Sequence, residues 1–142
     1  MGILPKLFHK IKKEYIDSLN NFESDIYKLQ EEINSKLITI MGTVGEFKGT
    51  SLISSTDDER IVKKFSERIS DKLPEFEDLL RDPIFNQIIL NYEDILLFFK
   101  PLTRRIGILA IVHDIDDIKI IKKWLKERAP TLEKIFEEKF EL

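Results

Sequence analysis

Ile84-Phe85-Asn86-Gln87-Ile88-Ile89-Leu90, Ile95-Leu96-Leu97-Phe98-Phe99-Lys100 and Ile106-Gly107-Ile108-Leu109-Ala110-Ile111-Val112-His113 are three apolar runs. They are rich in the branched and aromatic side chains that suit a pleated strand. Only Asn91-Tyr92-Glu93-Asp94 and Pro101-Leu102-Thr103-Arg104-Arg105 separate them. Connections this short permit antiparallel neighbours alone, because a parallel return needs a crossover of about a dozen residues or more. The stretch therefore reads as a three-stranded meander. The first strand is at one end of the meander, so one of its edges is expected to be free. It holds no Lys or Pro to discourage pairing with another chain.

Upstream, Lys36-Leu37-Ile38-Thr39-Ile40-Met41 and Thr50-Ser51-Leu52-Ile53-Ser54-Ser55 read as two more strands. Gly42, Gly45 and Gly49 between them mark a hairpin with a flexible turn. A phosphate-binding loop is excluded on two counts: no Lys follows the last glycine, and a strand rather than a helix comes next.

Three helical segments and a C-terminal helical extension complete the pattern. Leu4, Phe8, Ile11, Tyr15, Leu19, Phe22, Ile26, Leu29 and Ile33 recur at steps of three or four, the period of an amphipathic helix over about residues 5–34. Such a helix spans roughly 45 Å, longer than the body of a domain this size. Its basic end, with Lys6, Lys10, Lys12 and Lys13, needs a cover for Leu4, Leu7, Phe8 and Ile11. A return contact from the C-terminal helix, a second copy or a membrane surface would serve, in that order of preference. Thr56-Asp57-Asp58-Glu59 has the form of a capping box opening a second helix, with Ile61, Val62, Phe65, Ile69 and Leu73 on one face. Pro74 should end or kink that helix, and Glu75 to Asp82 could add a turn. Asp114-Ile115-Asp116-Asp117 is a second cap cluster, ahead of Ile118, Ile121, Trp124 and Leu125. Pro130 is expected to interrupt this helix, and a final helix carries Leu132, Ile135, Phe136 and Phe140. The expected class is α+β: a five-stranded antiparallel sheet flanked by helices in the order α-β-β-α-β-β-β-α. One domain is expected over residues 1–142, with the core at about 36–128 and a helical extension over 130–142.

Composition narrows the function. The 142 residues are 42% hydrophobic and 35% charged, a folded chain with a charged surface. A net charge of −3 gives no electrostatic reason to bind nucleic acid. Cysteine is absent, so disulfides and thiolate chemistry are excluded; this suits a cytoplasmic protein. The Lys, Glu and Ile content has an archaeal or thermophilic flavour. Met1-Gly2-Ile3-Leu4-Pro5-Lys6 fails as a myristoylation site because Lys6 stands where Ser or Thr is wanted.

Sites for chemistry are sparse. His113, Asp114, Asp116 and Asp117 could hold a divalent ion if a loop wrapped them, but capping a helix accounts for the aspartates. The serines have no nucleophile-elbow context. Arg104 and Arg105 share a turn and could meet a phosphate or an acidic partner. The reading favours an interaction protein with no catalytic residue and no cofactor. The alternatives are a metal- or ligand-binding enzyme domain centred on His113 and Asp114, or a membrane-surface trafficking adaptor.

The order of elements, from the hairpin Leu37–Ser55 through the helix Glu59–Leu73 to the meander Ile84–Val112 with Asp114 at its exit, resembles the roadblock domain of dynein light chains and of bacterial and archaeal GTPase regulators. Longin and profilin-like folds are neighbours. The chain has Asp116-Asp117-Ile118 where the family commonly has an Asn-Leu-Gly-like turn. The resemblance implies a dimer with itself or a homologous subunit, joined through the first meander strand and the preceding helix. That joint would include Phe65, Ile69, Ile84, Asn86, Ile88 and Leu90. It also implies a platform that docks a small GTPase, with Arg104 and Arg105 as candidate partner contacts.

Overall fold

The computed structural model describes residues 14–56, 58–81 and 86–140. Helix α1 (Glu14–Glu32) is followed by strands β1 (Leu37–Gly42) and β2 (Ser51–Ser54), helix α2 (Glu59–Arg81), strands β3 (Ile88–Tyr92), β4 (Ile95–Pro101) and β5 (Ile106–Val112), and helix α3 (Ile115–Phe136). The expected order and class are both observed. The expected start of the first helix near Pro5, with its four lysines, lies outside the described residues.

The five strands form one sheet in the order β2-β1-β5-β4-β3, antiparallel throughout. Every residue of β1 and β5 is buried, as expected for central strands covered on both faces. Alternation sorts the side chains. Ile38, Ile40, Phe98, Ile108, Ala110 and Val112 meet Phe22, Ile26 and Leu29 of α1 and Ile118, Ile121, Trp124 and Leu125 of α3. Leu37, Met41, Leu97, Phe99, Leu109 and Ile111 point the other way, towards Ile69 of α2. Two helices thus cover one face and one helix covers the other.

The hairpin turn between β3 and β4 is tighter than the sequence suggests. Asn91 and Tyr92 belong to β3, with Tyr92 opposite Ile95, so Glu93 and Asp94 alone make the turn. β3 consequently starts at Ile88, and Asn86 precedes it; Ile84 lies outside the described residues.

Pro74 and Pro130 both sit inside continuous helices. The expected interruption at Pro130 does not occur. A proline inside a helix costs about 3 kcal/mol. Beyond it Leu132, Ile135 and Phe136 are all buried in the same core as Ile121 and Leu125, and full burial of one such side chain contributes about 1.5–3 kcal/mol. Three of them outweigh the lost bond. The helix stops at Phe136, because Glu137 adopts a left-handed conformation (φ 51°). Phe140, expected on the helix stripe, instead folds back beside Phe136, at 6.1 Å between ring centroids. Its N–H donates to Glu133 Oε1.

The helix starts divide. Asp114 caps α3 as expected: Oδ1 accepts from Asp116 N and Asp117 N, and Asp117 Oδ2 accepts from the Asp114 N–H, completing a capping box. At α2 the cap is Asp58, whose Oδ1 accepts from Arg60 N at 3.1 Å and whose carbonyl accepts from Val62 N. Thr56, two residues early, uses its hydroxyl on Asp58 N. An aspartate immediately before the helix is the better placed acceptor.

Gly107 allows the sheet to close around an aromatic ring. A Cβ there would lie 2.6 Å from Phe99 Cζ and 3.1 Å from the Lys100 carbonyl oxygen. Gly107→Ala should destabilise the protein by about 1–3 kcal/mol, read from denaturant midpoints. Asp114→Ala should cost about 1 kcal/mol in the same assay.

Candidate interaction surface

β3 and β2 are the sheet's two edges, and they differ. β2 carries an extra residue: Ile40 pairs with Ile53 but Met41 pairs with Ser51, so Leu52 is bulged. The bulge turns both Leu52 and Ile53 into the α1–α3 core and bends the strand, a device that discourages further pairing. β3 has none. Its five residues pair with β4 in unbroken register. In a two-residue hairpin the residues flanking the turn bond to each other. Tyr92, Leu90 and Ile88 therefore bond to β4, while the N–H and C=O of Ile89 and Asn91 point outward.

Beside this edge the α2 face is incompletely covered. Ile61, Val62, Phe65, Leu73, Leu90 and Ile95 pack on the smaller core yet stay half-buried, and Tyr92 is 44% exposed. Together they form an apolar strip running from α2 to the free edge. Of the residues that sequence reasoning selected, Phe65, Ile69, Ile88 and Leu90 converge here. Ile69, at 1% exposure, lies beneath the strip and supports Phe65, and Ile88 is 8% exposed. Ile95 and Tyr92 were not selected. Ile95 opens the second run, and Tyr92 reads as a turn residue until the two-residue hairpin is known.

Asn86, Arg104 and Arg105 belong to another place, an open cleft at the β4–β5 turn that also involves Thr43, Lys48 and Pro74. Thr43 ties the two turns together: its N–H donates to the Arg105 carbonyl and its hydroxyl to that of Arg104. The arginines separate in role. Arg105 is ion-paired with Glu138, holding the segment after α3 against the turn. The Arg104 side chain is exposed and has no ion pair among the described residues.

The His113–Asp117 cluster is occupied with backbone. Asp114 and Asp117 cap α3, Asp117 Oδ2 also accepts from His113 N, and His113 Nε2 lies 3.0 Å from the Asn34 carbonyl oxygen. Asp116 pairs with Lys119. Among the described residues no group of His, Asp or Glu is arranged to hold a metal, and no helix is long and apolar enough to cross a membrane.

A single antiparallel sheet in the order 2-1-5-4-3, with one helix on one face and two on the other, is the roadblock-domain fold. Solved structures of that fold superimpose on this chain. Myxococcus xanthus MglB matches with a TM-score of 0.67 at 13% identity, over 87% of this chain and 93% of its own. An MglB with a tetrameric arrangement matches with a TM-score of 0.63 at 9% identity, over 81% of this chain and 90% of its own. The Roadblock/LC7 domain from Streptomyces avermitillis gives 0.50 at 10% identity, over 75% and 92%. No family model and no curated protein matches the sequence.

The other face of the sheet holds one charge out of keeping with its surroundings. Lys100 is 5% exposed on β4 and has no ion pair or hydrogen bond to its side chain among the described residues. Burial, and then the charges of Lys122 and Lys126, hold its pKa below the ordinary lysine value. The folded state thus disfavours the charged form, a cost present at neutral pH that fades as pH rises to the ordinary lysine value. Lys100→Met should raise the melting temperature at pH 7, with a smaller gain at pH 10, measured by thermal unfolding across pH.

Proposed function

We propose that the protein is a non-catalytic scaffold or regulator that pairs β3 with β3 of a second copy, or of a homologous roadblock subunit, and presents the joined platform to a small Ras-like GTPase. The observation that carries this is the β3 edge: five regular residues, no bulge, outward-facing backbone groups at Ile89 and Asn91, and a half-buried apolar strip alongside. Each property is a liability on an isolated monomer. Antiparallel pairing across a two-fold axis satisfies the backbone and brings Phe65, Leu90 and Tyr92 of each copy towards the α2 helix of the other. Ile88 and Ile69 form the floor of this joint. The tetrameric arrangement of an MglB supports assembly as a property of the fold. The resemblance to roadblock domains of GTPase regulators supports the partner class. Arg104, exposed and without an ion pair, is the proposed contact for an acidic or phosphate group on that partner.

Light scattering should give a dimer at micromolar concentration. Asn91→Pro removes a donor that β4 does not use, so it should yield a folded monomer. Phe65→Glu should weaken the dimer at least tenfold. A strict monomer for the unaltered chain, or an Asn91→Pro dimer of unchanged affinity, would overturn the pairing. Calorimetric titration with Ras-like GTPases of the source organism, loaded with GDP or a GTP analogue, tests the partner. Binding is expected to differ between the two nucleotides and to fall several-fold in Arg104→Ala.

A further inference from the structure

The two helices on the larger face of the sheet do not reach its β3 side. α1 packs over β1 and β2, and α3 over β5. On that face β3 presents Ile89, which is 36% exposed, and Asn91. β4 presents the half-buried Leu96 and then Lys100. The flank of α3 nearest this surface is marked by Lys122 and Lys126, the two charges that act on Lys100. Ile115 and Lys119 extend the same flank at the steps of four and three that keep residues on one helix face. The result is a trough with an aliphatic floor and a basic wall.

Its charge is not answered from within the chain. Lys119 meets Asp116 at 3.6 Å, but Lys100, Lys122 and Lys126 have no ion pair among the described residues. This concentration of positive charge occurs in a chain whose net charge is −3. We propose that the trough between α3 and the β3–β4 hairpin docks an acidic amphipathic helix of a partner protein. The helix would set its carboxylates on Lys122 and Lys126, with the charge of the buried Lys100 beneath them, and its apolar stripe on Ile89 and Leu96. The floor and wall together select this occupant. A nucleic acid would bring phosphates to the lysines, but Ile89 and Leu96 offer no aromatic ring for stacking. A membrane would meet the outward side of α3, whereas these lysines flank the sheet. Helix-in-groove binding uses this combination of an apolar stripe and flanking charge. The trough is on the opposite face from the α2 strip, although Ile89 on its floor also lends its backbone to the proposed β3 joint.

The test is fluorescence anisotropy with the full chain and a labelled peptide of about 20 residues, long enough for several helical turns, in which a leucine stripe is flanked by glutamates. Saturable binding that weakens with salt is expected. Lys122→Glu with Lys126→Glu should weaken it at least tenfold. Lys100→Met should weaken it several-fold even though that variant is the more thermally stable, which separates lost binding from lost folding. Phe65→Glu should leave it within twofold, separating this surface from the proposed dimer joint. Absence of saturable binding, equal affinity of the doubly reversed variant, or equal binding of a peptide with lysines in place of glutamates would overturn the proposal. Preferential binding of single-stranded RNA or phosphatidylserine vesicles over the peptide would overturn it as well.

Discussion

The pairing of β1 with β5 is the contact on which the rest of the structure depends. Six consecutive residue pairs, from Leu37 opposite Ile111 to Gly42 opposite Ile106, join the middle strand β5 to its neighbour β1. Both are buried along their whole length, and their apolar side chains divide between the two cores. The joint links the N-terminal hairpin to the C-terminal meander, segments separated in sequence by all of α2. Short polar devices hold its ends. Ser35 places its hydroxyl on the Ile111 carbonyl, and Thr43 bonds to the β4–β5 turn. Once this pair is fixed, β2 and β4 can only add outside it, and β3 must occupy the far edge.

Helix distribution then determines what remains open. Two helices on one face and one on the other cannot cover a five-stranded sheet equally. α2 alone leaves an apolar strip beside β3. α1 and α3, crowded over the centre, leave a basic trough on the opposite face of the same hairpin. The two open surfaces have different chemistry because β3 and β4 present different side chains to each: Ile88, Leu90 and Tyr92 on one side, Ile89, Asn91 and Lys100 on the other. The hairpin thus offers two surfaces of different chemistry, one on each face of the sheet.

The strands and helices were legible because their periods are clean. Phe22, Ile26, Leu29 and Ile33 declare a helix, and the meander runs declare strands. At proline, local preference predicts a helix end, and burial that is not local overrides it. Pro130 lies in mid-helix only because Leu132, Ile135 and Phe136 have a core to enter. The start of β3 at Ile88, later than the apolar run begins, has a similar reason. Register is set by the pairing of Tyr92 with Ile95, not by where the apolar run begins. The edge strand could be anticipated from its place in the meander. The trough could not, since Lys100 and Lys126 are brought together only when α3 folds back across the sheet.

The bulged Leu52 bears on stoichiometry. A sheet with two flat edges can recruit another copy at each end, and the product is an open-ended ribbon. Here one terminus of the ribbon is bent by its own extra residue, and the strand that carries it is four residues long. Under the proposed pairing, growth through backbone pairing would proceed from β3 alone and end after one addition. In that assembly the same residue that fills the core beside Ile53 would act as a chain terminator, with two copies per continuous sheet as the limit.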